Sequence, residues 1–95
     1  MITVWKYEIP VSGADFKIGI PIASTILTVG PARWSADWIA MWAEVDTTVP
    51  LEIRTFQVVG TGHRIGGVRC REYRGTVQEI HLSNIWHVYE IGHPV

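Results

Sequence analysis

The chain alternates apolar and polar residues in short runs, and this period-two pattern constrains its fold more than any other feature. In residues 3–9, Trp5, Tyr7 and Ile9 share one parity, while Lys6 and Glu8 share the other. Successive side chains of a β-strand point to opposite faces, so the pattern predicts a strand that buries one face. Glycine, proline and asparagine residues separate the runs, as turns separate strands.

Five further runs have the composition of strands. The pattern predicts them at residues 16–22, 25–29, 51–59, 73–82 and 85–91. Ser83 and Asn84 join the last two runs in a way typical of a hairpin. Between Ile53 and Phe56 the apolar residues change parity, which predicts a β-bulge in the run at 51–59.

Residues 32–46 fit two structures. Trp34, Trp38 and Trp42 are spaced by four, as on one face of a helix. The alternation that begins at Ile39 instead indicates a strand that is apolar on both faces, and we favour this strand. We therefore predict a mainly β fold, a small antiparallel β-sandwich or open barrel of about seven strands. A short helix within 32–44 or 64–72 is the alternative.

Length and composition indicate one folded domain over residues 1–95. Hydrophobic residues make up 47% of the chain and charged residues 18%, unlike a disordered chain. The formal net charge of -1 argues against binding to duplex nucleic acid, which requires a broad basic surface. The chain lacks the pattern of a signal peptide and any apolar run of about 18 residues, so we expect a soluble protein without a membrane partner.

An arginine-rich segment is the strongest candidate for a ligand site. Five of the eight basic residues lie in it: Arg54, Arg64, Arg69, Arg71 and Arg74. The planar guanidinium group suits phosphates and carboxylates, and the backbone of Thr61, Gly62 and His63 offers N–H groups to an anion. These residues predict a site for a small anionic, nucleotide-like ligand. The alternative is a solvated loop, since no nucleotide-binding fingerprint is present.

Five tryptophans are difficult to bury in one core of this size. We expect some of them to meet a ligand or a second subunit, and Trp34, which follows Pro31 and Arg33 in a predicted loop, is the first choice for an exposed contact. A strand that is apolar on both faces over residues 38–45 also needs cover on two sides. The protein is therefore predicted to form a homo-oligomer.

Metal and catalytic chemistry have little support in the sequence. The histidines at 63, 81, 87 and 93 lack a recognised zinc spacing, so we expect no metal or cofactor. Cys70 is the only cysteine, which excludes an internal disulfide and favours a reducing compartment. Its neighbours Arg69 and Arg71 favour the thiolate. An enzyme that uses Cys70 or His63 is only a third hypothesis, and we expect no catalysis.

Several segments together resemble a family of small uncharacterised proteins encoded by tailed bacteriophages and prophages. The resemblance spans nearly the whole chain, and its segments are Trp5 to Ile9, Trp42 to Asp46, Arg54 to Phe56, Gly60 to Ile65, Tyr73 to Gln78 and His87 to Glu90. The loop at 30–37 is longer than in that pattern, and Arg64 replaces a proline. The family assigns no catalytic residues to this chain.

The resemblance implies a phage accessory protein that acts in the host bacterial cytoplasm or sits in the virion. The leading hypothesis is a non-catalytic binding protein that counteracts host defence by sequestering a nucleotide-like anion or by binding a host protein. The alternative is a structural or assembly component of the virion, whose tryptophans form a permanent interface.

Overall fold

Seven β-strands form two antiparallel sheets in the computed structural model, which describes residues 1–66, 70–79 and 84–92. The strands are β1 (Ile2–Pro10), β2 (Phe16–Pro21), β3 (Thr25–Pro31), β4 (Trp38–Asp46), β5 (Leu51–Gly60), β6 (Arg71–Gln78) and β7 (Ile85–Ile91). One sheet has the order β1-β4-β3 and the other the order β2-β5-β7-β6. The predicted antiparallel β-sandwich is confirmed.

The proposed short helices are wrong wherever the structure describes them. Residues 38–44 belong to β4, and 71–72 belong to β6, while 67–69 lie outside the described residues. Within the described ranges no helix is long and apolar enough to cross a membrane. The tryptophan spacing of four is compatible with a strand because Trp38 and Trp42 share one parity, and Trp34 precedes β4.

The apolar residues on both faces of β4 reflect its position between β1 and β3. Ile39, Met41 and Val45 face the core with at most 1% exposure. On the outward parity Ala40 is only 2% exposed, because neighbouring residues of the same chain cover it. Part of the cover that the sequence assigned to a second subunit therefore comes from this chain itself.

The predicted bulge in β5 is wrong, because this strand pairs with β2 and β7 without a register shift. The parity changes because Leu51 and Ile53 are exposed on the outward face, while Arg54 takes the inward parity of Phe56. Register shifts occur instead in β3, between Ile26 and Thr28, and in β6, between Tyr73 and Gly75.

β6 and β7 pair antiparallel, as the predicted hairpin requires. The backbone N–H of Glu79 donates to the carbonyl of Asn84 at 3.0 Å, while residues 80–83, including Ser83, lie outside the described residues.

The core lies between the two sheets and is built from their inward-facing aliphatic side chains. A larger cluster contains Ile9, Ile18, Ile39, Met41, Phe56, Val58, Val77 and Val88, and a smaller one contains Ile20, Ala43 and Val45. The sheets also meet at one side, where Gly75 of β6 lies against Val29 of β3. The two open ends of the sandwich carry different residues.

Candidate functional site

The arginines predicted to share one pocket are distributed over the length of the sandwich. Arg54, Arg71 and Arg74 lie at the end that contains the first residues of β5 and β6, here called the arginine end. Arg64 is exposed beyond Gly60, the last residue of β5, and Arg69 lies outside the described residues. Arg54 and Gly60 are six residues apart on one strand, or about 20 Å. One pocket therefore does not gather the arginines that the structure describes.

Arg54 and Arg74 do converge, but on the carboxylate of Glu90. Arg54 Nε and Nη2 donate to Glu90 Oε2 and Oε1 at 2.6 and 2.7 Å, and its Nη1 donates to the Ser24 carbonyl at 2.6 Å. Arg74 Nη2 donates to Glu90 Oε1 and to Glu72 Oε2, both at 2.6 Å. The Glu90 carboxylate thus accepts hydrogen bonds from the guanidinium N–H groups that an anionic ligand would need.

The electrostatics of this cluster are those of a closed ion-pair network. Burial by itself raises the pKa of Glu90, but hydrogen bonds from Arg54 and Arg74 outweigh burial and lower that pKa below its ordinary value. The hydrogen bond to Glu90 raises the pKa of Arg54. Arg71 Nη2 donates to the Gly66 carbonyl at 2.8 Å. The guanidinium groups at the arginine end therefore donate mainly to acceptors of the protein itself.

A register shift in β6 lies beside Arg74 and changes which of the following residues face inward. Glu72 lies opposite Glu90, and Gly75 lies opposite Val88, so one extra residue occupies β6 between these pairs. Gly75 has φ +149°, a conformation that side chains rarely adopt. Glu72 and Arg74 are two residues apart, so alternation alone places both on the side of Glu90. The bulge lets Gly75 and then Val77 face inward as well.

The segment from Gly60 to His63 forms a tight turn rather than an open anion nest. The His63 N–H donates to the Gly60 carbonyl at 3.0 Å, and the Thr61 N–H donates to the Ile85 carbonyl at 3.2 Å. Gly62 has φ +82°, as the third position of a type II turn requires. Two of the backbone donors expected to face a ligand are therefore used inside the protein.

The Thr61 and His63 side chains also have partners within the chain. Thr61 Oγ1 lies 2.7 Å from His87 Nε2, and the His63 ring lies edge-on to Trp86, with centroids 6.4 Å apart.

Trp34 belongs to a group of aromatic residues at the opposite end of the sandwich, here called the tryptophan end. Its side chain is 65% exposed, as the sequence predicted for a contact residue. Its indole stacks on Trp38 with centroids 6.3 Å apart, and its Nε1 donates to Glu8 Oε2 at 2.7 Å. The hydrogen bond and the stacking hold an exposed indole in a defined orientation.

Two clefts flank Trp34. The outer cleft has a volume of about 500 Å³ and is lined by Lys6, Pro31, Ala32, Arg33, Trp34, Ala40 and Trp42. Lys6 and Arg33 are exposed, and neither forms an ion pair within the described residues. The outer cleft thus combines two indoles with two cations that have no acidic partner in that part of the chain.

The inner cleft lies at the mouth of the sandwich and has a volume of about 250 Å³. Its wall contains Trp34, Trp38 and Trp86, with Ile39, Val77 and Glu79. Trp86 Nε1 and Glu79 Oε1 are shielded from solvent and have no hydrogen-bond partner within the described residues. Unpartnered buried polar atoms are uncommon in folded proteins.

The residues named for an enzymatic hypothesis lie apart. Cys70 is exposed at the arginine end, where its carbonyl accepts from the Gly92 N–H at 2.9 Å, while His63 lies at the tryptophan end. His81 and His93 lie outside the described residues. Among the residues that the structure describes, no group of three potential metal ligands occurs.

The sequence analysis selected Trp34 but not Lys6, Trp42 or Trp86, which also line the two candidate clefts. Lys6 lies opposite Trp42 in the pairing of β1 with β4, and this pairing was not predicted. Arg33 was adjacent to Trp34 in the sequence but lay outside the arginine-rich segment. The sequence feature that could have identified the outer cleft is therefore Arg33 next to Trp34 in a predicted loop.

The architecture and clefts define a small all-β sandwich protein with an aromatic, partly cationic surface at one end. The chain belongs to the family described as "Domain of unknown function (DUF7352)", whose model matches residues 1–94. No curated protein and no solved structure matches it significantly.

Proposed function

We propose that this protein is a non-catalytic binding module that holds an aromatic anion of the nucleotide class in the outer cleft. The observation that carries the proposal is the pairing of Trp34 and Trp42 with Lys6 and Arg33 around one cleft of about 500 Å³. Indole faces stack on planar bases, and unpaired cations attract phosphate. The volume lies within the ~300–1,000 Å³ of typical ligand pockets.

The arginine end is a weaker candidate for the same ligand. Glu90 already satisfies the forks of Arg54 and Arg74, and displacing its carboxylate would leave a partly buried charge without partners. Lys6 and Arg33 need no such displacement. The proposed anion site therefore moves from the arginine-rich segment to the residues around Trp34.

Isothermal titration calorimetry with a panel of mononucleotides tests the proposal. The corresponding nucleosides and inorganic phosphate are titrated separately, because the proposed site needs both a base and a charge. We expect nucleotides to bind and Arg33→Ala to weaken binding about tenfold, the order of one charge-assisted hydrogen bond. Lys17→Ala is the matched control, since Lys17 is exposed on β2 and does not line the cleft. Flat traces for every nucleotide would reject the anion site.

The biological setting proposed is a phage-encoded protein that acts in the bacterial host and sequesters a nucleotide used in defence. The segment resemblance described above, including Gly60 to Ile65 and Tyr73 to Gln78, supports this setting. Bacteria that express the protein should become more permissive to a defence-sensitive phage. The Arg33→Ala variant should lose this effect if the outer cleft is responsible.

A second candidate function is an assembly role through a homo-oligomer or a virion interface. β1 is an edge strand, and its Ile2 and Val4 side chains are 63% and 51% exposed. An exposed apolar edge favours pairing with another chain. Light scattering that shows only monomers, together with absence from purified particles by mass spectrometry, would remove this candidate.

A further inference from the structure

The inner cleft differs from the outer cleft in the charge that its wall contributes. Three indoles, from Trp34, Trp38 and Trp86, line it, and the carboxylate of Glu79 contributes a negative charge. Arg33 also lines this cleft, but it forms no ion pair with Glu79. Aromatic faces carry negative potential and attract cations, and a nearby carboxylate adds to this attraction.

Glu79 is incompletely satisfied by the described part of the protein. Its Oε2 accepts one hydrogen bond, from Asn84 Nδ2 at 3.1 Å, while Oε1 is shielded from solvent and accepts none from a described residue. A carboxylate normally accepts several hydrogen bonds or pairs with a cation when it is shielded from water. Within the described residues, the charge of Glu79 therefore has no cationic partner.

We propose that the inner cleft binds a small organic cation, an ammonium or guanidinium head group, between its indole faces, with Glu79 as the counter-charge. A volume of about 250 Å³ is below the ~300–1,000 Å³ of pockets for drug-sized ligands, so the cleft suits a head group rather than a whole cofactor. A small free ammonium compound and a lysine or arginine side chain of a partner present this same chemistry. The proposal does not rest on anion binding in the outer cleft, although the two clefts share Arg33 and Trp34.

Titration with choline, with a capped lysine amide and with a capped arginine amide tests the proposal, read out by calorimetry and tryptophan fluorescence. The control ligand is 3,3-dimethylbutanol, which has the shape of choline without its charge. We expect at least one cation to bind saturably and the neutral alcohol to bind at least tenfold more weakly. Preference for choline would indicate a free quaternary ammonium compound, and preference for a capped amino acid would indicate a partner's side chain.

The Glu79→Gln variant tests the counter-charge while keeping the shape of the side chain. We expect it to weaken cation binding at least tenfold, whereas Glu44→Gln, on the exposed face of β4, leaves binding unchanged. A thermal melt shows that each variant is folded. Equal binding of choline and the neutral alcohol, no binding of any cation, or full binding by folded Glu79→Gln would overturn the proposal.

Discussion

The two ends of the sandwich hold their charged residues in opposite ways. At the arginine end Arg54, Arg74 and Glu90 satisfy one another, with Glu72 and a backbone carbonyl completing the network. At the tryptophan end Lys6 and Arg33 line a cleft without an acidic partner in the described chain. The comparison shows that arginines concentrated in one segment need not have guanidinium groups free to bind a ligand. The proposed site depends instead on which cations lack acidic partners among the described residues.

The two ends should therefore respond differently to mutation. Residues of a closed ion-pair network contribute to stability, and their removal leaves partly buried charges. Exposed residues around an open cleft contribute little to stability and can be replaced with an effect on binding alone.

The largest effect on stability is expected from Glu90→Gln. This change leaves Arg54 and Arg74 without their shared carboxylate, at side-chain exposures of 14% and 22%. We expect the free energy of unfolding to fall by about 3 kcal/mol, measured by urea denaturation. Glu44→Gln, an exposed carboxylate on β4, should change it by no more than about 0.5 kcal/mol. Equal stability of the two variants would contradict the closed network.

Gly75→Ala should be the next most destabilising change, because it disturbs the bulge in β6 and its close approach to β3. A β-carbon at this position would lie 2.5 Å from Val29 Cγ2, and the backbone has φ +149°. We expect a loss of about 2 kcal/mol from strain and overpacking, measured as a shift in the urea midpoint. Gly13→Ala is the control, since φ is +77° there but a β-carbon would meet nothing within 4 Å. It should cost about 1 kcal/mol.

Protonation of Glu90 at moderately acidic pH should destabilise the protein less than Glu90→Gln does at neutral pH, because only part of the Glu90 population is protonated. The pKa of Glu90 is lowered by folding, so its stabilising contribution is complete above the ordinary value of 4.5. It is lost as the pH falls from 4.5 through the lowered pKa of the folded state. Thermal melts between pH 6 and pH 3 should show a steeper decline for the wild type than for Glu90→Gln. Parallel declines would assign the acid sensitivity to other carboxylates.

The smallest effect on stability is expected from Trp34→Ala at the tryptophan end. The side chain is 65% exposed, so its removal should change the free energy of unfolding by less than about 1 kcal/mol. The same variant should weaken nucleotide binding, because Trp34 supplies one wall of the outer cleft. A large loss of stability would show that the stacking on Trp38 is structural, and it would remove the contrast between the two ends.

Much of the fold could be predicted from the sequence, but the candidate site could not. The alternation around Trp5, Tyr7 and Ile9 identified β1, and the same rule located the other strands to within a few residues. The rule failed in β5, where Leu51 and Ile53 are exposed apolar residues and Arg54 faces inward. Alternation predicts which side chains share a face of a strand. It does not predict that a charged side chain such as Arg54 can face inward because it pairs with Glu90.

The sequence by itself determined that this chain forms an antiparallel β protein, because side-chain parity and turn residues are local properties of the backbone. Only the tertiary structure decided which charged side chains of the described residues form ion pairs and which do not. Glu90 meets Arg54 across 36 positions of sequence, and Lys6 meets Trp42 through the pairing of β1 with β4. Such meetings depend on strand order and register. These in turn depend on how the whole core packs, which no local pattern specifies.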